Sequence, residues 1–462
     1  LNVDFFFVAL HHEVVNWLQA RRQSTVFDDS HLQVMFSQCK KLVERLQKRG
    51  AVVGSSLNTA YLLERLSQTL ERLETLMAIF VSNRYLPRRI LLLTGCFVRA
   101  AAEKHSITRL WKQSSRLISR SITQNAGDHG EHYITRDKKE YSAMFYSAAG
   151  GGVLIALMAL FKIYLGSIID DKVWKGIAEG LNYGLGFMVI FMLHFTVATK
   201  QPAMTAARFA EAVEKTPQGK SVNMKLAQLL VDVFRSQSIA VLGNVLIAMG
   251  LAALIAFGYQ YKTGEPLMNA DQIPYQLHSI DPFAGTLWFA AIAGVWLFCS
   301  GIISGYFDNR SNYLNMRMRL TQHPLLKKLM FEKSRVKFAN YMHENYGSLI
   351  GNLCFGMLLG ITGVVGYLTH LPLDIRHVAF SSANVGYIAV SGQFTYSLLL
   401  QCIGFVLLIG LVNLIVSFSL TLWVALRSLN AEIDSWWLIW YEVCQIVKKR
   451  PLSLFLPVQL DK

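Results

Sequence analysis

The chain has 462 residues, 53% of them hydrophobic and 16% charged, with a mean hydropathy of +0.33. That balance excludes a wholly soluble chain and points to a polytopic membrane protein with a soluble part attached. A net charge of +15 would suggest nucleic acid in a soluble protein, but beside a membrane the placement of the cations decides what they mean. The six cysteines (Cys39, Cys96, Cys299, Cys354, Cys402, Cys444) have no CxxC spacing, so neither a zinc ribbon nor a redox pair is expected. None falls in a loop assigned outside the membrane, which fits reduced thiols. The first residue is Leu, so the chain reads as a fragment or a processed product, and no charged-then-apolar leader opens it.

Residues 1–141 read as a cytoplasmic helical bundle. From Leu57 to Phe80, Leu62, Leu63, Leu66, Leu70, Leu73 and Met77 recur at helical spacing with Glu64, Arg65, Glu71 and Arg72 between them, which is an amphipathic helix with one buried face. Residues 31–48 and 87–104 supply partners, with Pro87 suited to a first turn. The run Leu91 to Val98 is too short to span, is broken by Arg99, and is expected as a core helix. Arg109, Lys112, Arg116 and Arg120 share one face of a basic helix that suits anionic lipid headgroups or nucleic acid. Next comes Gly127-Asp128-His129-Gly130-Glu131-His132-Tyr133-Ile134-Thr135-Arg136. Its Asp128, His129, Glu131 and His132 are metal-ligating residue types, but the spacing matches no established zinc pattern and the glycines favour a turn. A structural elbow before the membrane is the favoured reading.

Six spans are expected near 144–169, 176–199, 238–261, 284–307, 348–369 and 397–426, an all-α transmembrane domain over 142–426. The links 200–237 and 308–347 are crowded with Lys and Arg, whereas those after the first, third and fifth spans hold few. The positive-inside rule then puts both termini and both basic links in the cytoplasm. Gly243-Asn244-Val245-Leu246-Ile247-Ala248-Met249 aligns with Gly351-Asn352-Leu353-Cys354-Phe355-Gly356-Met357, and Gly151-Gly152-Val153-Leu154-Ile155-Ala156-Leu157 is a weaker copy. Gly166, Gly258 and Gly366 each follow the first glycine of their copy by fifteen positions. This register suggests three tandem hairpins as parallel repeats; recurrence of glycine in apolar helices is the plainer alternative.

The basic links carry helices opened by Pro202 and Pro324, and Val222, Leu226, Leu229, Leu230, Val233 and Phe234 form the apolar face of another, expected in the headgroup plane. Asn430 is the expected cap of a last helix in the interfacial tail 427–462, whose Trp436, Trp437, Trp440 and Tyr441 suit the membrane surface. The apolar stretch Leu371 to Gln393 is short of a span and reads as re-entrant or interfacial.

Inside the spans, Lys162, His194, Asn244, Asn352, Gln401 and Asn413 are the polar candidates, because an ionisable or amide group in hydrocarbon is expensive. Snorkelling of Lys162 and interhelical bonding by the asparagines are the structural alternatives. If these groups converge on a cavity, Asp308, Asn309 and Arg310 form its cytoplasmic mouth. Gly219-Lys220-Ser221 imitates a phosphate-binding loop, but Glu214 stands where its first glycine belongs and no strand precedes it. No nucleotide or other cofactor is expected.

The string Gly130-Glu131-His132-Tyr133-Ile134-Thr135-Arg136, together with Leu371-Pro372-Leu373-Asp374-Ile375-Arg376-His377, resembles the bacterial site-specific recombinase transmembrane family, the gonococcal-recombinase-like group. The resemblance covers most of the chain and implies a multi-pass protein of the bacterial inner membrane, and by its name recombination of DNA. Tyrosine recombination needs a His-x-x-Arg pair and a nucleophilic Tyr near the C-terminus. No His-x-x-Arg occurs, since His105 and Arg109 are one residue too far apart, and Tyr441 lies in a Trp-rich interfacial segment. The residues therefore favour a non-catalytic role in passing a small or lipid-like solute, or in scaffolding at the membrane. Nucleic acid is disfavoured as a partner, anionic lipid is expected, and the N-terminal domain is the surface for a protein partner. Action on DNA, as recombinase or accessory, is the competing reading.

Overall fold

A computed structural model of the chain describes residues 3–23, 29–53, 57–80, 86–103, 134–135, 137–198, 205–206, 209, 212–213, 220–268, 272–390, 394–429, 433 and 435–457. Among these every regular element is helical. The basic stretch holding Arg109, Lys112, Arg116 and Arg120, the histidine-containing stretch from Asp128 to His132, and Asn430 lie outside the described residues. The chain divides into two compact units, residues 1–121 with 312–314, and the remainder.

In the first unit, α1 (Val3–Arg22), α2 (Asp29–Val53) and α3 (Leu57–Phe80) precede α4 (Leu86–Glu103). Leu10 and Trp17 of α1, Phe36 and Cys39 of α2, and Leu70 and Met77 of α3 meet in one apolar core. Leu66 packs against that core, as its place in the heptad-like pattern requires. Helix α4 departs from expectation. Leu91 and Leu92 are 72% and 63% exposed, because no described residue of this unit covers the face that carries them.

The second unit contains α5 (Lys138–Ile168), α6 (Lys172–Met192), α7 (Lys220–Thr263), α8 (Gln272–Ile280), α9 (Thr286–Tyr313), α10 (Met316–Gln322), α11 (Pro324–Leu329), α12 (Glu332–Thr369), α13 (Val378–Ala389), α14 (Tyr396–Leu429) and α15 (Trp436–Lys449). Five of them, α5, α7, α9, α12 and α14, are long and apolar enough to cross a membrane. Helix α6 has the length, but Lys172, Lys175 and Glu179 dilute its apolar character. The stretch Val222 to Phe234 is not a separate surface helix. It continues into the apolar segment as one 44-residue helix, α7, because no Gly or Pro interrupts it between Lys220 and Leu242.

Packing runs largely between helices that are not consecutive. Helix α5 packs more extensively on α7 than on α6, and α6 packs along α12. Glycines permit the closest approaches. A β-carbon at Gly356 would collide with the backbone of Gly184, and one at Gly360 with that of Gly180, so these helices touch backbone to backbone. The three register glycines also lie at crossings. β-Carbons there would press on Asn244 Nδ2 at 3.1 Å (from Gly151), Ala148 Cβ at 2.8 Å (from Gly243) and the Ser300 carbonyl at 3.0 Å (from Gly351).

Helix α13 forms from the apolar stretch after Leu371. Its 12 residues reach about 18 Å, too short to cross, and nearly all of them, from Val378 to Ile388, are buried. It packs on α7, α14, α5 and α8, so protein rather than lipid covers it. At the other end of the bundle Ala206, Phe209, Leu226, Leu422 and Ile439 form a second core, which ties the link after α6 to α7, α14 and α15. Ser435 caps α15, accepting from Leu438 N–H, and leaves Trp437, Trp440 and Tyr441 exposed.

Candidate functional site

Two buried asparagines join the bundle. Asn244 of α7 donates from Nδ2 to the carbonyls of Ala148 (2.5 Å) and Thr196 (2.9 Å), and its Oδ1 accepts from Ala198 N–H at 2.8 Å. Asn413 of α14 donates to the carbonyls of Ala290 (2.7 Å) and Arg376 (3.0 Å) and accepts from Val378 N–H at 3.2 Å. Thr196–Ala198 follow the end of α6 and Arg376–Val378 lead into the first turn of α13, so their backbone groups lack i→i+4 partners. Each amide replaces those partners and ties the stretch to a neighbouring helix. Both asparagines are therefore links between elements of the bundle.

The other polar candidates separate. Asn352, placed beside Asn244 by the glycine register, donates instead to Ser348 of its own helix at 2.7 Å. His194 is exposed and sits at φ 58°, in the left-handed turn that ends α6; its carbonyl, not its ring, accepts from Ser147 Oγ at 3.1 Å. Gln401 is exposed on the outer surface of α14, away from any convergence of polar groups. Asp308 accepts from Gly347 N–H at 3.0 Å and so joins α9 to α12, while Arg310 reaches only Tyr306 of its own helix. Asp308 thus ties two helices together.

Lys162 is the candidate that acquires a partner of opposite charge. Its Nζ lies 3.5 Å from Glu179 Oε2 on α6 and 5.7 Å from the centre of the Tyr183 ring. Glu179 escaped notice in the sequence because it lies in the polar first half of a marginal span; its signal is a carboxylate in α6 where a cation in α5 needs one. Beside this pair is a buried aromatic cluster. Tyr183 packs against Phe380 at 4.4 Å between centroids with the rings tilted by 41°, and Phe187, Phe355 and Phe380 each lie within 6.1 Å of His377. His377 is the residue preceding α13. Arg376, next to it, donates to Asp374 at 2.6 Å and to the Ser279 carbonyl at 2.8 Å. The Asp374-Arg376-His377 string thus fixes the entry to the buried helix α13.

Of the 127–136 string only Ile134 and Thr135 are described, and both are buried. Arg235, 4% exposed, donates to the Thr135 carbonyl at 2.6 Å and pairs with Asp232 at 3.0 Å. Thr135 N–H in turn donates to Ser236 Oγ at 2.8 Å. Ile134 and Thr135 are thereby fastened to α7.

No group of three or more His, Cys, Asp or Glu among the described residues has the geometry to hold a metal ion. No curated protein and no solved structure matches the chain. A family model described as site-specific recombinase matches residues 2–457. The match takes in both compact units and every helix from α1 to α15, and the chain belongs to the site-specific recombinase family.

Proposed function

We propose that this is a six-span protein of the bacterial inner membrane, with both termini and the basic links in the cytoplasm, and that it passes a small or lipid-like solute across the bilayer. The observation that carries the reading is the Lys162–Glu179 pair, held between α5 and α6 next to a helix that stops inside the bundle. Charged groups between spans are costly unless they serve a pathway or a partner. Backbone that leaves the helix at membrane depth is tolerated where protein covers it or where it lines a cavity. The alternation of basic and weakly charged links supports the orientation.

The test is reconstitution of the full chain into liposomes. Release of entrapped small solutes and transbilayer movement of a fluorescent phospholipid are followed against empty vesicles. The proposal expects at least one of these rates to rise by about tenfold or more, and to fall back in Lys162→Met and Glu179→Gln variants whose melting temperatures are retained. Rates equal to those of empty vesicles would overturn it. The DNA reading is examined in the same preparation. Binding of duplex DNA that survives an excess of anionic vesicles would favour it, because contacts to phosphate alone are shared by lipid headgroups.

A further inference from the structure

The two asparagine links repeat one another bond for bond. In each, Nδ2 donates to an alanine carbonyl and to the carbonyl of a residue beyond a helix end, while Oδ1 accepts from the N–H two residues later. A fourth bond repeats as well. Thr196 N–H donates to the carbonyl of Ser147, just before Ala148, and Arg376 N–H donates to that of Phe289, just before Ala290. Four residues after each alanine stands a glycine against the asparagine's own backbone. β-Carbons at Gly152 and Gly294 would lie 2.9 Å and 3.0 Å from the Asn244 and Asn413 carbonyl oxygens.

The equivalence extends along all three helices. On α5 and α9 the strings Ala148-Ala149 with Gly152-Val153 and Ala290-Ala291 with Gly294-Val295 align, and Met144, Gly151 and Ile155 are buried as Thr286, Ala293 and Leu297 are. On α7 and α14, Ala240, Ala248 and Ala256 are buried as Ile409, Ser417 and Ala425 are, while Leu246 and Ile415 are both exposed. Helices α6 and α12 each stop near a histidine in the left-handed region, His194 and His370. Ten and fourteen residues before His194 stand Gly184 and Gly180; the same counts before His370 reach Gly360 and Gly356. Exchanging Gly184 with Gly360 and Gly180 with Gly356 turns the Gly184–Gly356 contact into the Gly360–Gly180 contact. A twofold axis through an antiparallel crossing has that property. Amphipathic periodicity would align buried faces by itself, but not four hydrogen bonds, two glycine contacts and a self-mapping crossing.

We propose that residues 138–263 and 286–429 are two copies of one three-helix unit inserted in opposite senses, related by a pseudo-twofold axis in the membrane plane, and that passage works by exchange of their two conformations rather than through a fixed pore. The inverted insertion stands on these contacts alone; the exchange rests on the passage reading. Repeats of opposite sense let one sequence plan adopt two arrangements, each opening the axis to one face of the bilayer. A unit that inserts in opposite senses must cross an odd number of times. Helix α6 therefore spans despite its charges, because its mate is the apolar α12. The helical residues Thr205, Ala206 and Phe209 mark the counterpart of α13. Ala206 and Phe209 pack in the core that includes Leu422 and Ala425 of α14, as α13 packs on α7.

Two measurements on the full chain test this. Epitope tags inserted at residue 170 or residue 216 are probed with antibody on intact and permeabilised spheroplasts. The proposal expects the first to be reached on intact cells and the second only after permeabilisation; both on one face would overturn the inverted insertion, whatever the chain transports. Spin labels at Trp174 with Tyr275, and at Met318 with Trp440, all exposed positions, then report distances in lipid nanodiscs. Two populations at each end, shifting in opposite senses, are expected. One sharp population at both ends would overturn the exchange and leave the insertion standing.

Discussion

Asn244 and Asn413 each satisfy three buried backbone groups, and an orphaned buried group costs about 1–3 kcal/mol. Alanine at either position is expected to lower the melting temperature in detergent by several degrees and by similar amounts. A melting temperature unchanged in either variant would contradict the assignment. In the first unit, burial pushes the Cys39 thiol up from its usual value. The folded state then favours the neutral thiol, so this contribution to stability is present below the free-thiol range and fades as pH rises through it. Cys39 should react with maleimide more than tenfold slower at pH 8 than the exposed Cys444, and urea should abolish the difference. Equal rates in the native chain would mean that the α1–α3 core is not closed.

Among elements, the α6–α12 crossing is the least tolerant of added volume. Gly356→Ala would drive a methyl into the Gly184 backbone, and neither backbone can move without separating the helices. Such overpacking costs about 1–3 kcal/mol or more. Gly404→Ala meets nothing within 4 Å and serves as the control. Thermal unfolding should place Gly356→Ala well below wild type and Gly404→Ala beside it; the opposite order would argue against the crossing. Five of the six expected apolar stretches were legible in the sequence as helices of membrane-crossing length and hydropathy, because both are local properties. The fate of Leu91 and Leu92, or of the face from Val222 to Phe234, was not. Whether an amphipathic face meets lipid, protein or a longer continuation of its own helix is decided by tertiary neighbours that spacing does not encode.

For the whole molecule, the glycine register pointed toward parallel copies and the hydrogen bonds point toward inverted ones. The register failed to separate them because Gly243, Gly351 and Gly151 are all crossing points, which recur wherever helices approach closely. The equivalence of Asn244 with Asn413 was hidden, since Gly243 precedes one and Val412 the other. What sequence did hold, unread, was the pair of Ala-Ala-x-x-Gly-Val strings and the glycine pairs placed ten and fourteen residues before His194 and His370. The Lys162–Glu179 pair was half legible: the cation stood out in an apolar helix, but only the fold brings its partner across.

The most direct measurement is a density map of the full chain in lipid nanodiscs, with the two three-helix units fitted independently. Rotation of one unit by about 180° about an axis in the bilayer plane should bring Ala148, Thr196 and Asn244 onto Ala290, Arg376 and Asn413, with α6 crossing the slab. A map with α6 lying along the membrane surface, or with the units related by rotation about the bilayer normal, would contradict the account.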